Sequence, residues 1–464
     1  MDVVILGAGT AGSHAMSQVR RAGKSFVLID GGPLGTTCAR VGCMPSKMLI
    51  HAADLFHDRR VFEELGIRGG EHLRADVPAV MRRVRALRDE LVAGTIRSMI
   101  EPLSSEQFIA SNARLVGPDV VEVAGQRIRA GAIVIATGSR PIVPRPWQAF
   151  GDRILTTDAL FEQEDLPRRM AVIGLGAIGL EMGQALARLG VEVTGFADKP
   201  LITAIPDPVI AGTAQTLIGE EFPLHLGQTA SIEEIPGGLR VSAGTHSVNV
   251  DKVLVCIGRK PNLDGLGLEE IGAPLDAKGR PKLDPHTMQL GDLRIYVAGD
   301  ATGDLQIMHE ATDEGRIAGF NAGRQRVPYE RKTPLAILFT DPNIVSVGAS
   351  LRDLDESTIA IGEVDFAKQG RARVMAKNRG RLRVYGDRAT GRLLGACLCA
   401  PGGEHLGHLL AWSIEQGLTA SDLQKMPYYH PVLEEGLRTA IDQLARAVEA
   451  RADSALTHMR PAQG

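Results

Sequence analysis

Val3-Val4-Ile5-Leu6-Gly7-Ala8-Gly9-Thr10-Ala11-Gly12 joins a continuous apolar run directly to a G-x-G-x-x-G triplet. Four consecutive apolar residues suit a parallel strand buried on both faces. The stretch that follows, to about Gly23, reads as a helix, and Phe26-Val27-Leu28-Ile29 is a second apolar run that ends on Asp30. The combination predicts a βαβ unit whose first glycines (Gly7 and Gly9) make the turn and admit a pyrophosphate at the helix N-terminus. The third, Gly12, lets helix pack on strand. Asp30 lies eighteen residues beyond Gly12, where a carboxylate accepts from ribose hydroxyls. The glycine triplet alone is weak in a chain with 53 glycines; the flanking strands and the acid give it weight.

The pattern occurs twice. Met170-Ala171-Val172-Ile173 leads into Gly174-Leu175-Gly176-Ala177-Ile178-Gly179, a helix is expected to about Leu189, and Val191-Glu192-Val193-Thr194 forms the next strand. Two nucleotide-binding units in one chain suit an electron relay between a tightly held cofactor and an exchangeable one. Where the second unit should carry its acid stands Ala197, followed by Asp198 and Lys199. Asp198 can serve the ribose, favouring NAD, if its strand ends one residue late, whereas Lys199 can contact a 2′-phosphate. No arginine pair supports the phosphate alternative, so NAD is the expectation. Two more apolar strands, Ile133-Val134-Ile135-Ala136-Thr137-Gly138 and Val253-Leu254-Val255-Cys256-Ile257-Gly258, also end at glycine. Pro141, Pro144 and Pro146 read as a linker into the second unit. From about Thr333 the fingerprints cease, helices are expected around 403–417 and 431–449, and the last dozen residues read as a frayed tail.

Composition bounds the rest. The 464 residues allow two or three domains. Fifty-two Lys and Arg against 55 Asp and Glu leave a net charge of −3, which gives no bulk attraction to nucleic acid or an anionic membrane. No apolar run approaches the roughly 18 residues of a membrane span. A strand begins at once with no cationic segment before it, so no secretory leader is expected. Five cysteines cannot build a disulfide scaffold, and the expected location is the cytoplasm.

Cys38-Ala39-Arg40-Val41-Gly42-Cys43-Met44-Pro45-Ser46-Lys47 follows the first unit. In a regular helix, residues five apart have Cα atoms roughly 8.6 Å apart, beyond the 4.4–6.8 Å range of a disulfide. Pairing Cys38 with Cys43 therefore requires an irregular helix start, which Gly42 and Pro45 can supply. A thiol there would have its thiolate stabilised by unpaired amides. Two unpaired core cysteines are the bland alternative, and Cys256, Cys397 and Cys399, on apolar strands, get that reading. No Cys or His spacing suits a metal. In Pro427-Tyr428-Tyr429-His430-Pro431-Val432-Leu433-Glu434-Glu435, Pro431 is expected to open a helix with His430 at its mouth. The two acids suit the helix dipole, and either can fix the tautomer of His430 as a base for thiol chemistry. Arg82, Arg83, Arg85 and Arg88 make a basic helix face, a solvated surface or a docking face for an acidic carrier.

In this order the fingerprint, GTTCARVGCMPSK, ATG, the second fingerprint, CIGRKPN, YVAGDATG and YYHPVLEE resemble the pyridine nucleotide–disulfide oxidoreductases, and within them the dihydrolipoamide dehydrogenase branch, from residue 1 to about 450. The resemblance implies an α/β fold: two Rossmann-like dinucleotide-binding domains plus a C-terminal α+β dimerisation domain. Its divisions would be an FAD-binding domain over 1–145, an NAD-binding domain over 146–262, a central FAD segment over 263–332, an interface domain over 333–450 and a flexible tail over 451–464. FAD would be held by Gly7, Gly9, Gly12, Asp30, Thr137, Gly138 and Asp300, with Met308, His309 and Ala311 lining its ring system. NAD would be held by Gly174, Gly176, Gly179, Asp198 and Gly258. Lys47 would sit near the flavin paired with Glu181. Cys43 would be the flavin-facing sulfur, Cys38 the interchange sulfur, and His430, held by Glu435, the acid/base contributed across a homodimer. The implied substrate is free dihydrolipoamide or a lipoyl-bearing carrier.

The chain departs from the family at Ala197, at Thr36-Thr37 before Cys38, and at Tyr429. A mercuric reductase would add a C-terminal cysteine pair, which Met459-Arg460-Pro461-Ala462-Gln463-Gly464 lacks. A glutathione-type reductase fits GCMPSK less well, and a soluble transhydrogenase would lack the cysteine pair. A non-catalytic redox-sensing flavoprotein would need neither His430 nor Glu435.

Overall fold

The computed structural model describes residues 1–202 and 205–449 together with residues 456, 458 and 459. Strands form where the apolar runs stand. Val3–Leu6 and Phe26–Ile29 are buried along their whole length and pair in parallel. Ala132–Ile135 adds to the other side of Val3–Leu6, and Ile295–Val297 closes that edge. The first sheet therefore runs Ile295–Val297, Ala132–Ile135, Val3–Leu6, Phe26–Ile29, Phe108–Ile109. Its edge strand is supplied from nearly 160 residues beyond its neighbour. The helix Met308–Gly323 lies against the helix Thr10–Arg21 so closely that a Cβ on Gly315 would stand 2.3 Å from Ala11 O and one on Gly319 2.4 Å from Ala15 Cα. Glycine there is a packing requirement.

The second sheet repeats the plan, in the order Leu224–Leu226, Glu192–Ala197, Arg169–Ile173, Lys252–Val255, Ile154–Leu155, all parallel. The helix Ala177–Arg188 covers it. Cys256 follows the strand Lys252–Val255 instead of lying inside it, because that strand stops at Val255 while the chain turns toward Gly258 (φ +107°). Small antiparallel sheets over residues 113–129 and 231–250 flank the two units.

From Leu335 the chain forms an antiparallel sheet: Leu335–Leu338, Asn343–Gly348, Leu393–Ala400, Arg381–Asp387, Ile359–Asp365. Cys397 and Cys399 are buried in its central strand. The helices Gly403–Glu415 and Glu434–Ala447 pack on it. The latter starts three residues after Pro431, later than expected. Both backbone groups of Val432 are engaged by side chains: its N–H donates to Glu435 Oε2 (3.2 Å) and its carbonyl accepts from Gln369 Nε2 (2.7 Å), which keeps it out of a helical turn. The tail over 451–464 lies outside the described residues except for 456, 458 and 459. Of the basic face on the helix Val77–Met99, Arg82 and Arg83 are exposed. Arg85 donates to the carbonyl of Gln163, and Arg88, buried, forks onto Glu162, so those two serve packing rather than docking.

Candidate active site

The two fingerprints build the same cradle. Gly7 has φ +104°, and a Cβ there would lie 2.2 Å from Ala136 O; one on Gly12 would lie 1.9 Å from Gly7 O. In the second unit Gly174 (φ +95°) meets Cys256 O at 2.4 Å and Gly179 meets Gly174 O at 1.9 Å. A Cβ on Gly9 or Gly176, by contrast, would meet nothing within 4 Å, so these positions open onto space where a diphosphate can approach the helix N-terminus. Beside the first cradle is a cavity of about 510 Å³ lined by Gly7, Asp30, Asn112, Thr137 and Arg140, among others. Thr137 Oγ1 is buried without a hydrogen-bond partner among the described residues, and Gly138 follows it at φ +70°. Asp30 accepts from Ala8 N–H and Gly32 N–H at 2.6 Å each, holding the turn while its remaining lone pairs face the cavity.

The second cavity, about 410 Å³, is lined by Trp147, Gly174, Gly176, Phe196, Asp198 and Lys199, among others. Backbone register settles the position of the missing acid. Gly7 N–H donates to Ile29 O, and Gly174 N–H donates to Phe196 O, both at 2.8 Å. Ala197 is therefore the counterpart of Asp30. Its strand continues to Ala197 through pairing with Leu226, so Asp198 follows the strand end and lines the cavity. It is ion-paired with Lys199 at 3.4 Å, both side chains 60% exposed.

Asp300 is held by groups that no motif announced. Ser139 Oγ donates to Asp300 Oδ2 (2.5 Å), and Arg259 donates to Ser139 through Nε (2.8 Å, to Oγ) and Nη2 (2.9 Å, to the carbonyl). Glu314 Oε2 accepts from Gly299 N–H at 2.7 Å, and Oε1 from Arg331 at 3.1 Å; Arg331 also pairs with Glu310. Burial pushes the Glu314 carboxyl up to about 7, against the pull of Arg331. Met308 and His309 stand exposed at the start of their helix, and Ala311, on the same helix, is buried.

The cysteines straddle a break between two helices. Thr37–Val41 is capped by Thr36 Oγ1, which accepts from Ala39 N–H (3.1 Å), and a new helix, Cys43–His57, begins after Gly42 (φ −125°, ψ −117°). A Cβ on Gly42 would lie 3.1 Å from Thr37 O and 3.3 Å from Cys38 Cα, so a side chain at this break would crowd the cysteine segment. Both cysteines are free thiols here. Donation from Cys38, helped by the Lys47 cation, brings Cys43 down to about 7, while burial opposes the shift. As the donor, and itself desolvated, Cys38 is driven well above the usual thiol range. Lys47 lies one turn along the same helix; its Nζ donates to Glu181 Oε2 at 2.8 Å and sits 4.7 Å from the centre of the Phe339 ring. Glu181, buried, also accepts from Phe339 N–H (2.9 Å). His430 Nδ1 and Glu435 Oε1 are hydrogen-bonded at 2.9 Å, and that bond holds the Glu435 carboxyl below the usual range. The His430 ring points outward, its side chain 80% exposed.

A family model described as pyridine nucleotide-disulphide oxidoreductase matches residues 1–315, and the dimerisation domain of the same family matches residues 335–441. The chain belongs to this family. A dihydrolipoyl dehydrogenase of Thermus scotoductus is 30% identical over 457 residues, covering 96% of this chain and 97% of the relative. Dihydrolipoyl dehydrogenase 3 of Pseudomonas aeruginosa is 32% identical over 477 residues, covering 97% and 99%. Among solved structures, LpdA from Mycobacterium tuberculosis superposes with a TM-score of 0.83 at 26% identity, covering 96% of this chain and all of that one. The HOCl-induced flavoprotein disulfide reductase RclA from Escherichia coli matches at 0.81 and 24%, covering 95% and 99%, a likeness of fold. As a family member the protein is an oxidoreductase that works with FAD and NAD. The unpartnered Thr137 hydroxyl and the cradle at Gly9 fit the first of these and the cradle at Gly176 the second. Its C-terminal part is the dimerisation domain, which supports a homodimer. Among the described residues no helix is long and apolar enough to cross a membrane.

Proposed function

We propose that the protein oxidises dihydrolipoyl groups, passing their electrons through a Cys38–Cys43 disulfide to FAD and on to NAD⁺. The observation that carries this reading is the helix break at Gly42, with Cys38 on one side and Cys43 on the other at the head of a helix that also carries Lys47. Dihydrolipoyl dehydrogenases at about 30% identity over nearly the whole chain support the substrate class.

The domain divisions proposed are those expected from the sequence, with the central segment 263–332 belonging to the flavin half because its strand Ile295–Val297 joins that sheet. In the oxidised enzyme the two sulfurs are bonded to each other. His430 of the partner subunit, its Nδ1 fixed by Glu435, takes a proton at Nε2 from a substrate thiol. The resulting thiolate attacks Cys38, and the Cys38–Cys43 bond breaks with Cys43 leaving. Lys47, one turn along the helix that Cys43 heads, favours negative charge on that sulfur, which makes Cys43 the better leaving group and directs attack to Cys38. The second substrate thiol then closes the lipoyl disulfide and releases Cys38. Two electrons have moved from substrate to the cysteine pair. A bound FAD would supply the two-electron chemistry that links the cysteine pair to NAD⁺, the net conversion being dithiol and NAD⁺ to disulfide, NADH and a proton. Asp300, steadied by Ser139 and Arg259, would hold the ribityl chain, Met308 to Ala311 would line the ring system, and Lys47 with Glu181 would set the charge between the two nucleotide sites. Asp30 would bind the adenosine ribose of FAD, and Asp198 that of NAD. The setting proposed is cytoplasmic.

The test is NADH formation from dihydrolipoamide and NAD⁺, with glutathione disulfide and Hg²⁺ assayed in parallel. Wild-type turnover and its abolition by Cys43→Ser with FAD still bound are expected. Wild type that turns over another disulfide but no dihydrolipoamide would replace the substrate, and an active Cys43→Ser enzyme would remove the thiol relay.

A further inference from the structure

The helices Cys43–His57 and Ala177–Arg188 are joined side by side at two points. Near their starts Lys47 Nζ donates to Glu181 Oε2 (2.8 Å); farther along, Arg188 Nη1 donates to Asp54 Oδ1 (2.6 Å). The ties are seven residues apart on both helices, two turns or about 10.5 Å, so the helices run in the same direction. Their polarity is reversed, with the cation on the cysteine helix in the first tie and on its neighbour in the second. Cys43 and Ala177 each stand four residues before the first tie. The helix that presents the thiol and the helix of the second fingerprint therefore begin at one level.

Arg188 is only 4% exposed and is gripped from three sides. Glu221 accepts from Nε and Nη2 at 2.7 Å each, and the Asp341 carbonyl accepts from Nη2 at 3.2 Å, with Asp341 Oδ2 3.4 Å from Nη1. Gln184, one turn earlier, donates to Glu221 (2.8 Å) and to the Asp341 carbonyl (3.0 Å) and accepts from Asp341 N–H (2.9 Å). Lys377 reaches Asp341 at 3.4 Å and Asp58 at 3.2 Å, and His57 and Arg60 face the same junction. The network thus joins the cysteine helix, the second nucleotide unit and the chain entering the C-terminal sheet. Buried ion networks of this kind add little net stability over an apolar core, but removing one partner is costly and the geometry they impose is narrow. One tie alone would leave the two helices free to pivot about it; a second, two turns away, removes that rotation.

We propose that Asp54 and Arg188 are positioning residues of the dithiol site, holding the cysteine helix in register with the Glu181 helix so that Lys47 keeps its place beside Cys43. The proposal rests on the reading of Cys43 as the working thiol. Within the chain the charged groups that face Cys43 are Lys47 and Glu181, and its thiol neighbour is Cys38; in the dimer the proposed acid/base, His430 of the partner subunit, faces the same pair and is unchanged in every variant compared. A looser Lys47 therefore leaves the thiolate less stabilised.

The readout is the pH midpoint for iodoacetamide alkylation of Cys43, located by mass spectrometry in FAD-loaded dimers with a Cys38→Ser background. The scan runs above about pH 7, where Asp54, pushed up to about 6 by burial, is about nine-tenths ionised. Asp54→Ala, which leaves Arg188 on Glu221, is expected to raise the midpoint by about half a unit, slowing alkylation at pH values well below the midpoint about threefold. Arg188→Lys, which keeps the charge but not the fork, should shift it in the same direction. Leu115→Ala, a cavity variant in the small 113–129 sheet, should lower stability and leave the midpoint in place. Should Arg188→Lys not fold, Asp54→Ala decides alone. A midpoint unmoved by Asp54→Ala, or moved equally by Leu115→Ala, overturns the proposal. Failure of the parent enzyme to turn over dihydrolipoamide would instead sink the functional reading without touching this measurement.

Discussion

Glu314 offers a prediction whose size follows from its surroundings. Its carboxyl is 3% exposed, holds Gly299 N–H at 2.7 Å, and is pushed from 4.5 to about 7 because burial outweighs the pull of Arg331. A raised acid stabilises the fold most when protonated. That contribution is complete below pH 4.5 and is lost as pH rises through about 7. The displacement is worth about 3 kcal/mol, already net of the attraction to Arg331. Glu314→Gln keeps an acceptor for Gly299 N–H, removes the titration, and leaves Arg331 on Glu310. Hydrogen exchange of peptides spanning Gly299–Thr302 and Met308–Gly323, compared between wild type and variant at each pH, cancels intrinsic exchange rates. Near pH 5 the two proteins should be alike. At pH 8 the variant should be more protected, by up to about a hundredfold. Equal ratios at both pH values, or a less protected variant at pH 8, would refute the argument that desolvation dominates at this carboxylate.

Replacing Lys47 by Met removes the cation beside Cys43 and should raise the alkylation midpoint of Cys43 above about 7, by about one unit; an unchanged midpoint would mean that the Cys38 hydrogen bond alone sets it. His430→Gln should slow reduction of the enzyme by dihydrolipoamide about 10²–10⁴-fold, with reduction of the bound flavin by NADH nearly intact in stopped flow. Equal losses in both halves would remove its role as acid/base. Ala197→Glu restores a carboxylate at the counterpart of Asp30 and should tighten NADH about tenfold in a fluorescence titration, as one charge-assisted hydrogen bond allows. No change in Kd would show that register is a poor guide to the ribose site.

Strands buried on both faces are legible because nothing but unbroken apolar sequence survives there. Val3–Leu6 and Phe26–Ile29 match the sequence reading residue for residue, and the expected irregularity between the cysteines is the break at Gly42. The late start of the helix at Glu434 was hidden because Gln369, whose amide engages Val432 O, is 63 residues away. The supports of Asp300 were illegible for the same reason, since Ser139 lies 161 residues from it. The sequence singles out neither Glu314 nor Arg188, because only the packing of other parts of the chain over their helices buries these charges. Arg85 and Arg88 erred in the opposite sense, appearing as an open basic face until the chain around Glu162 covers them.

The strand Ile295–Val297, which pairs with Ala132–Ile135, carries a consequence for how the chain is made. A ribosome releases residues 154–255, which carry all five strands of the second parallel sheet, well before the first sheet has its last member. The inserted half can close during synthesis, while the N-terminal half waits with an open edge for some 160 further residues. Nascent chains stalled short of Ile295 should therefore hold NAD(H) before they hold any flavin.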